Sequence, residues 1–218
     1  MGNTAEFCSV LREDVAEVWD KIYSHPFLQE VEAGSLPDSK YKFYFTQNAQ
    51  YIETAIRFMA IAAAKAPDPA SRDLCLQLAI TCTEKSKEQM EWADELPGEV
   101  PTEMAPANFA YTRHLIDLAH QGGAVDVLTG LLPCPWTYDE FAHAIHGKLT
   151  QPVAARWLEW WASDEHEELV DDMKAVIDRL SADVSKTKRD ALAHAFLTSS
   201  RLEYMFWDMA YYEQSWPV

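Results

Sequence analysis

The chain has 218 residues, enough for one large domain with a sizeable core, and no shift in composition along it marks a second domain. With 35 acidic residues against 18 basic ones the formal charge is -17, which speaks against DNA, RNA or an anionic membrane as a partner. Cys8, Cys75, Cys82 and Cys134 have no C-x-x-C spacing and no secretory leader before them, so they read as free thiols of a cytoplasmic protein; the apolar run at Ile61–Ala64 is too short to span a bilayer.

The predicted elements are all helical. Phe7, Val10, Leu11, Val15, Val18, Trp19 and Ile22 recur at three- and four-residue spacing and predict one amphipathic helix over 5–23, ended by His25-Pro26. A short helix over 27–33 stops at Gly34, and Ser35-Leu36-Pro37-Asp38 opens a long one to about Ala64, with Pro37 in its first turn. Ala66-Pro67-Asp68-Pro69 is a tight link to a helix over 70–96, in which Cys75 and Cys82 share a face and read as core. The breaker-rich stretch 97–103 reads as a loop, not a domain boundary. Helices follow over 106–121, ended by Gly122-Gly123, over 125–132 and over 135–149. Gln151-Pro152 restarts the chain in a helix carrying Trp157, Trp160 and Trp161. Ser163 is an N-cap for a helix to about Leu180, and 181–212 forms the last helix. Period-two alternation and hairpin signals are lacking, so the fold class is all-α, a single-domain bundle of mostly antiparallel neighbours.

Leu131-Leu132-Pro133-Cys134-Pro135-Trp136-Thr137-Tyr138 is the most informative stretch. A cysteine between two prolines belongs at the start of a helix, because each ring removes an N–H donor. The acidic Asp139-Glu140 pair suits the positive end of that helix, and a thiol there has the environment that lowers its pKa. Tyr138 falls on the same face one turn on. A small buried hydrophobe beside a proline kink is the other reading. In Arg201–Ala210, Glu203 shares a stripe with Phe206, Trp207 and Ala210. A carboxylate on such a face either pairs with a cation such as Arg201 or has a raised pKa, the property a general acid/base needs near neutrality. Asn48, Tyr44 and Tyr51 share a stripe of another helix, suited to stacking and edge-bonding a flat heteroaromatic ligand, or to a core with a few satisfied polar groups. Glu140-x-x-His143 matches half of a bundle di-iron site without a second copy, so no metal or cofactor is expected.

The ordered segments His25-Pro26-Phe27, Gly34-Ser35-Leu36-Pro37, Tyr44-x-x-Gln47-x-x-x-Tyr51, the Cys134 stretch, Glu203-x-x-Phe206-Trp207-Asp208-Met209-Ala210 and Trp216-Pro217 resemble the TenA/thiaminase II family over nearly the whole chain. The resemblance implies a haem-oxygenase-like helical bundle without haem, usually a homotetramer. It also implies hydrolysis of an aminopyrimidine breakdown product of thiamin to the hydroxymethylpyrimidine, with thiamin cleavage as a related activity. It makes Cys134 a nucleophile that adds to the pyrimidine ring, with Glu203 moving the protons and Tyr51 helping to activate the thiol. Asn48, Tyr111, Tyr138, Trp161 and Phe206 become substrate-binding, and Cys134 puts the chain in the cysteine-bearing branch. Asn48 stands where the family usually has aspartate, and Trp161 where it usually has tyrosine. Those departures keep open a sibling hydrolase acting on a different amine-bearing heteroaromatic, and a non-catalytic pyrimidine-binding or regulatory protein is the third reading.

Overall fold

The computed structural model describes residues 6–100 and 103–218; the expected helix start at Ala5 and the Pro101–Thr102 part of the expected loop lie outside them. Among the described residues there is no strand. The helices are α1 (Phe7–Asp14), α2 (Ala16–Tyr23), α3 (Pro26–Ala33), α4 (Asp38–Ala64), α5 (Pro69–Glu95), α6 (Pro106–Gln121), α7 (Ala124–Leu131), α8 (Pro133–Ile145), α9 (Pro152–Glu159), α10 (Asp164–Ser181) and α11 (Lys186–Tyr212), with one 3-10 turn at His146–Lys148.

The bundle is built on α4, α5 and α11, each of 27 residues and therefore about 40 Å long. The short link after Ala64 folds α5 back along α4; the Asp68 carboxylate caps α5 by accepting from the Ser71 N–H at 2.9 Å, with Pro69 at the first helical position. Both α6 and α11 pack on α4, and α7 is enclosed by α4, α6 and α11. Phe27, Tyr44, Trp157 and Trp207 form an aromatic layer at the centre, with Trp207 stacked on Tyr44 at 5.6 Å and 5° between planes.

Several boundaries differ from expectation, each for a local reason. The expected first helix is broken at Val15, which lets α1 pack on α10, where the Asp178 carboxylate accepts from the Cys8 N–H at 2.8 Å, while α2 packs on α11, where the Trp19 indole donates to Ser200 Oγ at 3.1 Å. Pro37 is the N-cap of α4 and not a first-turn residue. The last helix begins at Lys186, because the Ser185 hydroxyl accepts from the Lys188 N–H. Trp160 and Trp161 lie past the end of α9, in the turn before Ser163. The glycine at the end of α3 is as expected: Gly34 has φ 67°, a left-handed conformation that favours glycine.

Candidate active site

The turn from α7 into α8 places the cysteine. Pro133 occupies the first position of α8 and Pro135 the third, where the first-turn amides have no intrahelical acceptor, so the helix loses nothing by carrying both rings. The helix thus starts two residues earlier than expected, Cys134 is inside its first turn, and the acidic pair falls in the second turn. Glu140 there serves tertiary structure, pairing with Arg12 at 3.1 Å and accepting from the Tyr23 hydroxyl at 2.7 Å. By surface area Cys134 is only half-buried, because its open side faces a cavity; crowding by protein on the other sides still governs its chemistry.

Three groups from other helices gather at that thiol: Glu203 of α11, Tyr51 of α4 and Tyr111 of α6. Glu203 is 2% exposed, and among the described residues no cation pairs with it; Arg201 is at the surface. Burial pushes its pKa from 4.5 up to about 8, against a smaller opposing effect of hydrogen bonding to Tyr111 and Cys134. The thiol is also shifted upward, first by burial and then by the charge of Glu203, with the Tyr51 hydroxyl working in the opposite direction. This corrects the expectation of a thiol lowered by a helix start: burial and the Glu203 charge favour the neutral thiol, beside a carboxyl whose own pKa is raised to about 8. The Tyr51 and Tyr111 hydroxyls are enclosed and close enough to influence thiol and carboxyl, yet neither makes a well-aligned hydrogen bond to a described residue.

Beside this group lies a cavity with about 780 Å³ of empty space, part of it open to solvent. Asn48, Tyr51, Cys134, Tyr138 and Trp161 form part of its wall. The Tyr138 hydroxyl is hydrogen-bonded to the Tyr44 hydroxyl at 2.7 Å, and its ring lies against Trp161 at 4.4 Å between centroids. The other three expected residues stand one layer back from the wall. Glu203 is behind the thiol, Tyr111 packs on Tyr51 at 5.2 Å, and Phe206 packs on Tyr51 at 5.9 Å.

The structure adds wall residues that were not singled out: Cys82, Gln89 and Trp92 on α5, Trp157 on α9, and His166 on α10. Cys82, expected in the core, instead shares the cavity with Cys134. A polar residue on an apolar stripe, the signal that marked Glu203, also marks Gln89, which is 2% exposed. His166 carried no such signal, since it follows a capping serine and two acidic residues; only the docking of α10 against α8 buries it. No group of described residues has the arrangement of a metal site, and no described helix is long and apolar enough to cross a membrane.

Comparison with known proteins gives the family and the fold. Residues 12–213 match the TENA/THI-4/PQQC family. The aminopyrimidine aminohydrolase of Halalkalibacterium halodurans is 32% identical over 221 residues, covering 96% of this chain and 97% of that protein. The aminopyrimidine aminohydrolase of Bacillus subtilis is 27% identical over 97% of this chain and 92% of its own length. Among solved structures, a TenA homologue from P. horikoshii superposes with a TM-score of 0.81 at 28% identity, covering 95% of this chain and 99% of that one. A domain with a haem-oxygenase-like fold from Shewanella denitrificans, at 16% identity, shares the fold with a TM-score of 0.68 over 94% of this chain and 92% of that one.

Proposed function

The chain belongs to the TENA/THI-4/PQQC family, and on that premise we propose that it is a thiamin-salvage hydrolase, an aminopyrimidine aminohydrolase, working through Cys134 and Glu203. The observation that carries the reading is a thiol on the wall of an aromatic cavity, backed by a buried carboxyl whose pKa is raised to about 8 and by two phenols, Tyr51 on the wall and Tyr111 behind it. The net reaction replaces the amino group of an aminomethylpyrimidine with the hydroxyl of water and releases ammonia.

With a pKa near 8, Glu203 is present in both forms around neutrality. In the ionised form it takes the thiol proton as sulfur adds to a ring carbon, and Tyr51, which favours the thiolate, lowers the cost of that step. It then hands the proton to the exocyclic nitrogen, and the electron pair gained by the ring expels ammonia and leaves a methylene. Water adds to the methylene while its proton passes to Glu203. Loss of sulfur restores the aromatic ring, and the thiolate recovers its proton. Tyr138, Asn48 and Trp161 hold the pyrimidine; Tyr111 and Phe206 act through Tyr51, which they pack against.

Ammonia release from a panel of aminomethyl- and formylaminomethylpyrimidines, with thiamin alongside, tests the reading. Turnover of an aminopyrimidine supports it, while pyrimidine binding without ammonia release by the wild type contradicts it and favours a non-catalytic binder. Asn48 on the cavity wall favours a second reading, a sibling hydrolase for another amine-bearing heteroaromatic, because an amide cannot supply the charge that stabilises a protonated ring. That sibling would release ammonia from a ring outside the panel. A cytoplasmic homotetramer is also proposed; it is supported by Leu76, Ile80 and Met90 exposed on α5 and Phe109 exposed on α6, and light scattering on the purified protein tests the tetramer.

A further inference from the structure

We infer that His166 offers an unprotonated Nδ1 to the cavity as the acceptor for an N–H of the bound substrate, which makes it a specificity residue for amine-bearing ligands. The inference rests on the hydrolase reading above and names a wall of the same site. Its first support is the other nitrogen of the ring. His166 Nε2 lies 3.0 Å from the carbonyl oxygen of Pro135, the residue after Cys134. A carbonyl only accepts, so Nε2 carries the proton, and in a neutral imidazole Nδ1 is then a lone-pair acceptor.

The ring stays neutral in this setting. It is fully buried, and burial pushes its pKa down to about 4, against a smaller opposing effect of the Pro135 carbonyl and with Lys85 adding to the lowering. Lys85 is itself held by Glu88 at 2.8 Å. Trp160 and Trp161 pack against the imidazole at 4.6 and 4.8 Å, which fixes its orientation while leaving it on the cavity wall. Nδ1 meets no donor among the described residues, and a buried acceptor without a donor is costly. Gln89 Oε1, on the same wall, is a second buried acceptor without a donor. Two such acceptors on one wall suit a ligand rich in N–H groups and disfavour one that presents carbonyl or phosphate oxygens there.

A pair of substitutions separates the two ring nitrogens. His166→Gln keeps an N–H where Nε2 held the Pro135 carbonyl and leaves no acceptor at the Nδ1 position; His166→Asn keeps an acceptor oxygen near the Nδ1 position and loses the clamp. The probes are the aminomethylpyrimidine and its analogue with a methyl group in place of the amino group. Expected is a rise of about tenfold in KM for the amine in His166→Gln, with kcat little changed, a matching loss of preference for the amine over the methyl analogue, and a KM near wild type in His166→Asn. An unchanged preference in His166→Gln, or equal KM increases in both variants, overturns the inference while leaving the hydrolase reading intact. A wild type that releases no ammonia overturns both. If the variants do not fold, nitrogen NMR of the wild-type imidazoles decides: an unprotonated Nδ1 whose resonance moves when hydroxymethylpyrimidine binds supports the inference, and a protonated or unmoved one defeats it.

Discussion

Replacing Glu203 with glutamine keeps its shape and hydrogen-bonding reach and removes its ionisation, so the variant isolates what the buried carboxyl contributes. The rise of its pKa from 4.5 to about 8 in the folded chain corresponds, at about 1.4 kcal/mol per pH unit, to about 5 kcal/mol. The sign follows from proton counts. Between these two pKa values the unfolded chain has lost the proton that the native carboxyl retains, so the unfolded state binds fewer protons and wild-type stability falls as pH rises through the window. Below 4.5 the effect is absent, and above about 8 it is complete. Other titrating groups are common to both proteins and cancel in the difference. Urea unfolding at matched protein concentration is therefore expected to find the stability of Glu203→Gln relative to wild type growing by about 3 kcal/mol between about pH 5 and about pH 8. Turnover by the same variant drops by about a hundredfold or more, because an amide cannot shuttle protons. A stability difference that stays constant with pH would refute the reasoning, since it would mean that Glu203 ionises as freely in the fold as outside it.

Alkylation by iodoacetamide tests the state of the thiol: with a pKa above its usual value, Cys134 reacts faster as pH is raised to about 9 with no plateau, and mass spectrometry showing a plateau below about pH 8 contradicts this. Tyr51→Phe removes a hydroxyl that favours the thiolate; at about 2 kcal/mol for a hydrogen bond to a charged group, kcat falls by about thirtyfold and Cys134 alkylation slows in parallel, whereas unchanged kinetics remove Tyr51 from the mechanism. Asn48→Asp restores a charge to the cavity wall and shifts the relative kcat/KM among aminomethylpyrimidine, its formyl derivative and thiamin; an unaltered ranking means that position 48 does not set the substrate.

Helix periodicity was legible almost throughout, because apolar residues at three- and four-residue spacing leave few alternatives to a bundle. The break at Val15 was not, since each half of the 7–23 segment takes its direction from a different distant partner, Asp178 for α1 and Ser200 for α2. Within the site, Glu203 and Asn48 were visible as polar groups on apolar stripes, and Cys134 by its prolines. The direction of the thiol shift was missed because it depends on how tightly α4, α6 and α11 close around the sulfur, and local sequence carries no record of that. His166 was hidden for the same reason: beside Asp164 and Glu165 it looks like a solvated first turn, and only the adjoining Pro135 carbonyl of α8 gives it a place.

Ammonia release by Cys134→Ala bears most directly on the central claim. The account predicts that this variant folds and still binds the aminomethylpyrimidine, measured by calorimetry, while its ammonia release falls to the uncatalysed background. Release at a rate near wild type would contradict the account, because Cys82, the other thiol on that wall, has neither Glu203 nor Tyr51 among the groups that act on it.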